Sequence, residues 1–213
     1  MYLYRDEAER LTAQMRQDLS TALVSSTDQL LSFLQDSDWS MVIKLHAALE
    51  AATTQAIVAH INQDSLREVI ERLPLSDNQT GKGRIAVDLG VISKSQFTFI
   101  RKLSELRNKL VHQVENISFD TRKYFEGLDK QQLQAWKNAI AWENGRSRKD
   151  CLAEILEQNP KVALFLSVFA IITLLAVAEQ EDLARRKIDY ISERTMQELF
   201  LSLIHISEPT RQE

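Results

Sequence analysis

One short segment of the chain, RNKLVH, places an arginine and a histidine five residues apart, at Arg107 and His112. Histidine can donate or accept a proton near neutral pH. The planar guanidinium of arginine binds phosphate oxygens and stabilises negative charge that develops on them. Because RNA carries its own nucleophile, the 2′-hydroxyl, such a pair can cleave RNA without a metal ion. The two residue types therefore point to phosphodiester chemistry.

The same two residues also allow a purely structural interpretation. Basic side chains near the C-terminus of a helix can bind its last carbonyl groups and interact favourably with the helix dipole. An Arg-x4-His spacing also arises often by chance. On spacing alone, we favour helix capping for Arg107 and His112.

The segment is predicted to end a helix that runs from Ser93 to His112. On a wheel of 100° per residue, Arg107 lies at the edge of the apolar stripe, whereas Asn108 and His112 lie on the polar side. Asn108 and His112 are one turn apart and can touch. The side chains of Arg107 and His112 diverge on a straight helix. They can act on one ligand only if the last turn is frayed, if the long arginine side chain reaches across, or if one of the two comes from a second subunit. The apolar stripe consists of Phe99, Leu103, Leu106 and Leu110.

The remainder of the chain must provide the helical framework that positions these residues. Only five glycines and three prolines occur in 213 residues, and helix formers dominate most windows. Apolar residues recur at helical spacing, with no strand-like alternation. The sequence therefore predicts an all-α, multi-helix bundle in which residues 1–200 form a single domain.

Capping and helix-breaking residues give the predicted boundaries. Two long helices are expected over Arg5–Leu34 and Trp39–Asn62, the second capped by Ser37 or Asp38. Capping-box pairs open further helices, and glycine or proline marks other ends. The capping boxes are Ser65 with Glu68 and Ser93 with Gln96; Gly90 ends a short helix, Gly127 interrupts another, and Pro160 begins a long apolar helix.

A polar loop, LSDNQTGKG, precedes the short helix that Gly90 ends. Its last three residues, Gly81–Gly83, have a composition that can cradle an anion, but they lack the spacing of a phosphate-binding P-loop. We interpret them as a flexible entry to the helix.

The apolar run Val162–Ala178 contains seventeen residues without a charge. A transmembrane helix needs about twenty apolar residues, and this run lacks aromatic anchors and is followed by the charged segment EQEDLARRK. We expect a central helix buried by neighbours on all sides. A membrane span is the alternative.

Charge and cysteine content restrict the possible ligands. The formal net charge is −4, which gives no general attraction to nucleic acid, and no basic helix-turn-helix is present. The single Cys151 excludes an internal disulfide, and the lack of a second cysteine or a nearby histidine argues against a Cys/His zinc site. The charged N-terminus lacks the apolar region of a signal peptide. We expect a cytoplasmic protein without metal or cofactor that does not bind specific DNA sequences.

Part of the chain resembles known helical proteins. The Arg-Asn-x3-His set at the end of a helix resembles the HEPN superfamily. The stretch GKGRIAVDLGVISKSQFTFIRKLSELRNKLVHQVENISFD resembles more narrowly the mannitol operon repressor family, through its G-K-x-R-x-A opening, LGVIS, L-R-N-K-x-x-H and ISFD. The resemblance covers about Trp39 to Asp120. The apolar helix after Pro160 is similar in position to the closing helix of that family. For Tyr124–Gln158 we identify no corresponding segment in the family.

The resemblance implies a helical bundle that forms a homodimer. Many HEPN proteins are metal-independent ribonucleases, often toxins. In that case Arg107 would contact the phosphate, His112 would act in acid–base catalysis, and Asn108 would orient one of them. The mannitol repressor family is instead regulatory, and its members are not expected to bind DNA directly.

Three functions follow as expectations. The first, which the narrower resemblance favours, is a regulatory module that acts through a dimer surface or a protein partner. The second is a HEPN ribonuclease with RNA as its substrate, and the third is a membrane-anchored form of either. Because Arg107 and His112 diverge on one helix, we expect a homodimer with this helix near the two-fold axis.

The end of the chain has a different character. Residues 201–211, LSLIHISEPTR, resemble the conceptual translation of a transposon-end adapter used in sequencing libraries, over eleven consecutive residues. On this interpretation residues 201–213 are a non-native tail, the natural C-terminus is missing and His205 has no function. The alternative is an ordinary apolar tail that completes the last helix.

Deletion of Leu201–Glu213 tests this interpretation. We expect the free energy of unfolding to change by no more than about 0.5 kcal/mol, because a non-native tail makes few stabilising contacts. Urea denaturation of the full and shortened chains measures the difference. Unfolding of the shortened chain would show that the tail belongs to the domain.

Overall fold

The computed structural model describes residues 4–112, 114–142 and 146–207, and its regular elements are helices. No strand occurs in these ranges. The predicted all-α, multi-helix architecture with a long apolar C-terminal helix is confirmed. The helices are α1 (Arg5–Ser32), α2 (Asp38–Ile61), α3 (Arg67–Glu71), α4 (Lys82–Asp88), α5 (Lys94–Val111), α6 (Thr121–Glu126), α7 (Lys130–Ile140), α8 (Arg146–Gln158) and α9 (Pro160–Ser207).

Most predicted helix boundaries are formed by the expected side chains. Ser93 and Gln96 make a complete capping box at the start of α5, with the backbone N–H of Ser93 donating to Gln96 Oε1 at 2.6 Å. The Ser37 hydroxyl accepts from the backbone N–H of Ser40 and caps α2. Gly90 follows α4 with a φ of +76°, where a residue with a side chain would be strained. Pro160 is the first residue of α9.

The predicted capping box of Ser65 with Glu68 is wrong. A 3₁₀ turn over Asp64–Leu66 precedes α3, and the N-cap residue of α3 is Leu66, which makes no side-chain cap. The chain turns early because the backbone N–H of Leu66 already donates to Gln63 O. Ser65 therefore lies within the 3₁₀ turn and not at the N-cap position of α3.

The central contact of the bundle is between α2 and the first half of α9, which run parallel. Near their N-termini, Lys161 Nζ lies 3.1 Å from Asp38 Oδ1. Near the C-terminus of α2, His60 Nδ1 lies 2.9 Å from Asp182 Oδ2. The Asp38 carboxylate also accepts from the backbone N–H and the hydroxyl of Thr121, so it connects α2, α6 and α9.

Helix α1 packs antiparallel against α9. Lys187 Nζ lies 3.2 Å from Asp18 Oδ2, and Leu30, close to the other end of α1, is buried in the main core. α2 ends beside Asp182, whereas α9 continues to Ser207. In the part of α9 that extends past the end of α2, the ion pair with Asp18 shows that α1 is the neighbouring helix.

The apolar run of α9 has one buried side and one exposed side. Six of its residues are fully enclosed, whereas Leu166, Leu174 and Val177 remain 37%, 47% and 38% exposed. The prediction of burial on all sides is therefore wrong for the outer face, because α1 and α2 do not surround the helix. By length and composition alone, α9 could also cross a membrane. The enclosed residues are Ala163, Leu164, Ser167, Val168, Ile171 and Leu175.

The adapter-like tail begins on α9. The backbone remains helical to Ser207, and Phe200 and Leu201 are 61% and 59% exposed. The part of the tail over residues 208–213 lies outside the described residues.

Candidate functional site

The three residues singled out by the sequence lie at the C-terminal end of α5. Arg107 is half-buried, and Asn108 and His112 are exposed, as the helical wheel predicts. α5 ends at Val111, and His112 is its C-cap residue. The apolar stripe that holds α5 in the bundle fixes these orientations, since Phe99, Leu103 and Leu106 are buried.

Arg107 and Asn108 form a hydrogen bond with each other, and His112 is not part of it. Arg107 Nη1 donates to Asn108 Oδ1 at 3.1 Å. Asn108 and His112, which can touch one turn apart, form no hydrogen bond with each other, and within the described residues His112 makes no hydrogen bond or ion pair. One chain therefore holds an arginine–asparagine pair and a separate histidine.

Although His112 is the C-cap residue of α5, the side chains of Arg107 and His112 bond no carbonyl group at this helix end within the described residues. Two other side chains bind the carbonyl groups at the end of α5. Trp39 Nε1 donates to Leu110 O at 3.1 Å, and Asn116 Nδ2 donates to Lys109 O at 2.7 Å. Because these donors satisfy carbonyls that a helix end leaves unpaired, the side chains of Arg107 and His112 remain available for other contacts.

A buried histidine that the sequence did not indicate lies on the inner side of α5. His46 on α2 is 7% exposed, and its Nε2 lies 3.0 Å from Ser104 Oγ. The Ser104 hydroxyl donates to Ile100 O, so it accepts a hydrogen bond from His46 Nε2–H. Burial lowers the pKa of His46, the charges of Arg107 and Lys82 lower it further, and Glu50 opposes them. The contact joins residues 58 positions apart on α2 and α5, so no local pattern in the sequence indicates it.

The GKG segment is part of the core. Lys82 is 1% exposed, and its Nζ lies 3.2 Å from Glu50 Oε1, 3.2 Å from Thr54 Oγ1 and 3.1 Å from Glu71 O. A Cβ at Gly83 would lie 2.5 Å from the Phe97 ring. The expectation of a flexible entry is therefore wrong: glycine is needed for close packing, and the lysine charge is satisfied inside the protein.

His112 borders an open groove of about 410 Å³ along the outer side of α5. The groove combines one cation, Lys109, with aromatic side chains from the following segment. Cations can hold phosphates and aromatic rings can stack on planar groups. Its lining consists of Leu106, Lys109, Leu110, His112, Asn116, Phe119 and Tyr124.

Metal chemistry has no candidate site in the part of the chain that the structure describes. No group of three His, Cys, Asp or Glu residues there could hold a metal ion. Cys151 is exposed and free.

Comparison of the chain with known protein families, curated proteins and solved structures finds no relative. No family model matches the chain, and neither a curated protein nor a solved structure matches it. The family resemblance of residues 39–120 therefore rests on the motifs alone.

Replacement of Lys82 by methionine tests its place in the core. We expect Lys82→Met to lower the free energy of unfolding by about 1–3 kcal/mol, because Glu71 O and Glu50 lose a buried donor. Lys102→Met, at a lysine paired with the exposed Glu105, is the matched control and should change stability by no more than about 0.5 kcal/mol. Urea denaturation measures both. Equal stability of Lys82→Met and wild type would contradict the structural role.

The burial of His46 predicts a pH dependence of stability. Its folded pKa lies below the ordinary value of 6.5, so in the window below 6.5 the unfolded chain binds a proton that the folded chain does not. Stability should fall as pH falls through 6.5 toward the folded pKa, by at most about 1.4 kcal/mol per pH unit from this residue. In His46→Gln this component should be absent. Urea denaturation between neutral and mildly acidic pH measures it, with His112→Gln as the control, and an unchanged slope in His46→Gln would refute the assignment.

Proposed function

We propose that the chain is a cytoplasmic regulatory module of the mannitol operon repressor type, which acts through contacts with a second copy or with a protein partner. The observation that supports this proposal is that the hydrogen bond between Arg107 and Asn108 does not include His112. In the described part of a single chain, no hydrogen bond joins the proton-transfer group to the phosphate-binding group. General acid–base catalysis requires the proton-transfer group within hydrogen-bond reach of the reacting atom.

The surface also favours protein contacts over DNA contacts. The net charge of −4 provides no general attraction to a phosphate backbone. In contrast, exposed apolar side chains occur along both α1 and α9, including Val24, Leu174 and Val177. Exposed apolar surface of this kind is typical of sites where proteins associate.

A genetic experiment tests the regulatory function. In a strain that lacks the gene, transcripts of the mannitol uptake genes should rise several-fold, and expression of the full chain should restore repression. The Arg107→Ala, His112→Ala double variant should restore it as well, since the proposal assigns no chemistry to these residues. Unchanged transcripts in the deletion strain would contradict the proposal, as would loss of repression by the double variant at normal protein levels.

A metal-independent ribonuclease is the second candidate, and the groove beside His112 is the observation in its favour. It places Lys109 and two aromatic rings next to His112. Arg107 and Asn108 lie at the same end of α5. Joint action would then require a ligand or a second copy of the chain to bring the two parts together, because no hydrogen bond joins them in one chain.

Cleavage of single-stranded RNA by the purified chain in the presence of EDTA distinguishes the two candidates. If the chain is a ribonuclease, Arg107→Ala and His112→Ala should each reduce the rate by about 10²–10⁴-fold without a change in melting temperature. His60→Ala, at a histidine paired with Asp182 elsewhere on the surface, is the matched control. Cleavage with this mutational pattern would replace the regulatory proposal, and absence of cleavage would support it.

A further inference from the structure

A small cavity of about 110 Å³ lies where α5, α6 and α7 meet. α5 contributes Lys102, Glu105 and Lys109 to its lining, and the other two helices contribute polar and aromatic side chains. The groove that His112 borders lies directly beside it, because Lys109 and Tyr124 line both spaces. The cavity and the groove are therefore neighbouring compartments on the outer side of α5.

The indole N–H of Trp136 makes no hydrogen bond in the described part of the chain. Trp136 lines the cavity and is 3% exposed. The indole N–H of Trp142 is fully enclosed without a partner, whereas that of Trp136 is not enclosed, and the cavity is the space that its side chain borders. The N–H of a buried tryptophan usually finds an acceptor. This donor therefore indicates an acceptor within the cavity.

Three further side chains bring free donors to the same cavity. The hydroxyl of Tyr124 makes no hydrogen bond within the described residues, and Lys109 forms no ion pair there. Gln132 Oε1 accepts from the backbone N–H of Asp129 at 3.3 Å, so the amide N–H groups of Gln132 remain available as donors. Side chains from three different helices thus present donors to one small space.

The ligand group that matches this lining is rich in acceptors and negatively charged. An indole N–H and an ammonium group can only donate. The carboxylate in the lining, Glu105, has its Oε2 3.4 Å from Lys102 Nζ, so the positive charge of Lys109 remains without compensation. A phosphate or a carboxylate accepts several hydrogen bonds and supplies the opposite charge. The small volume of the cavity limits this group to a few non-hydrogen atoms.

The neighbouring groove provides space for the remainder of a ligand. Its walls include Leu110, and the rings of Phe119 and Tyr124 pack against each other there, with centroids 5.7 Å apart. Binding sites for small molecules combine apolar and aromatic walls with a few polar groups that fix the orientation of the ligand. An aromatic or apolar body fits this part of the site.

We propose that the cavity binds the phosphate or carboxylate group of a small molecule, and that the groove holds its aromatic or apolar body. Lys109 supplies the opposite charge, and Trp136 and Gln132 supply hydrogen bonds. Both of these belong to Tyr124–Gln158, for which the resembled family offers no corresponding segment, so the resemblance does not imply this site. The inference goes beyond the regulatory function and does not depend on it.

NMR titration of the Trp136 indole N–H tests the site. The chain has three tryptophans, and loss of one indole signal in Trp136→Phe identifies the signal of this residue. Phenyl phosphate and phenylacetate, which each carry an oxyanion on an aromatic body, should shift it in a saturable manner. Benzyl alcohol, which has the ring without the charge, should not. The affinities of the two anions show whether the site prefers a phosphate or a carboxylate.

Replacement of Lys109 tests the role of the charge. Lys109→Met should weaken binding of the tighter anion by at least about tenfold, because a charge-assisted hydrogen bond is lost. Lys94→Met, at an exposed lysine near the other end of α5, is the matched control and should leave the affinity unchanged. Tyr124→Phe keeps the ring, removes the hydroxyl and should weaken binding severalfold. If Lys109→Met does not fold by circular dichroism, Tyr124→Phe decides.

Four outcomes would overturn the inference. Two concern the ligand: neither anion shifts the Trp136 signal at millimolar concentration, or benzyl alcohol shifts it as much as the anions do. The third is equal affinity of wild type and the folded Lys109→Met variant. The fourth is a shift caused by single-stranded polyuridylate RNA without any response to the small anions, which would assign the site to RNA.

Discussion

The parallel contact between α2 and α9 is the constraint on which the rest of the fold depends. α2 packs against α9 on one side and against α4 and α5 on the other, so its residues are buried on both sides. Met41, Leu45 and Leu49 are completely inaccessible. Ion pairs at Asp38 and His60 lie near the two ends of this contact. α5, which carries Arg107, Asn108 and His112, packs against α2.

The buried polar groups beside α5 connect the interior to the candidate site. His46, Glu50 and Lys82 lie between α2, α4 and α5, and the charge of Arg107 reaches His46. Arg107 therefore bonds Asn108 at the surface, and its charge also lowers the pKa of the buried His46.

Local patterns were sufficient to predict the helices but not their long-range contacts. The capping box at Ser93 and the start of α9 at Pro160 depend on residues within one turn, and the sequence indicated both. The hydrogen bond from Trp39 to the end of α5 joins residues 71 positions apart, and the ion pairs of Lys82 depend on the approach of α2. The outward side of α9 was missed for the same reason, since a continuous apolar run carries no periodicity that distinguishes a buried face from an exposed one. The divergence of Arg107 and His112 was predictable, because it follows from the helical repeat alone.

The α2–α9 contact also has a consequence for synthesis of the protein. Asp38 and Lys161 are 123 positions apart (161 − 38), so α2 leaves the ribosome long before the helix that covers it exists. At about 5–20 residues per second, the delay is roughly 6–25 seconds. During that time the face of α2 that will meet α9 remains exposed on the nascent chain. The topology therefore leaves the side of α2 that meets α9 without its partner until the first half of α9 has emerged, whereas α4 and α5, which pack on the other side of α2, are synthesised earlier.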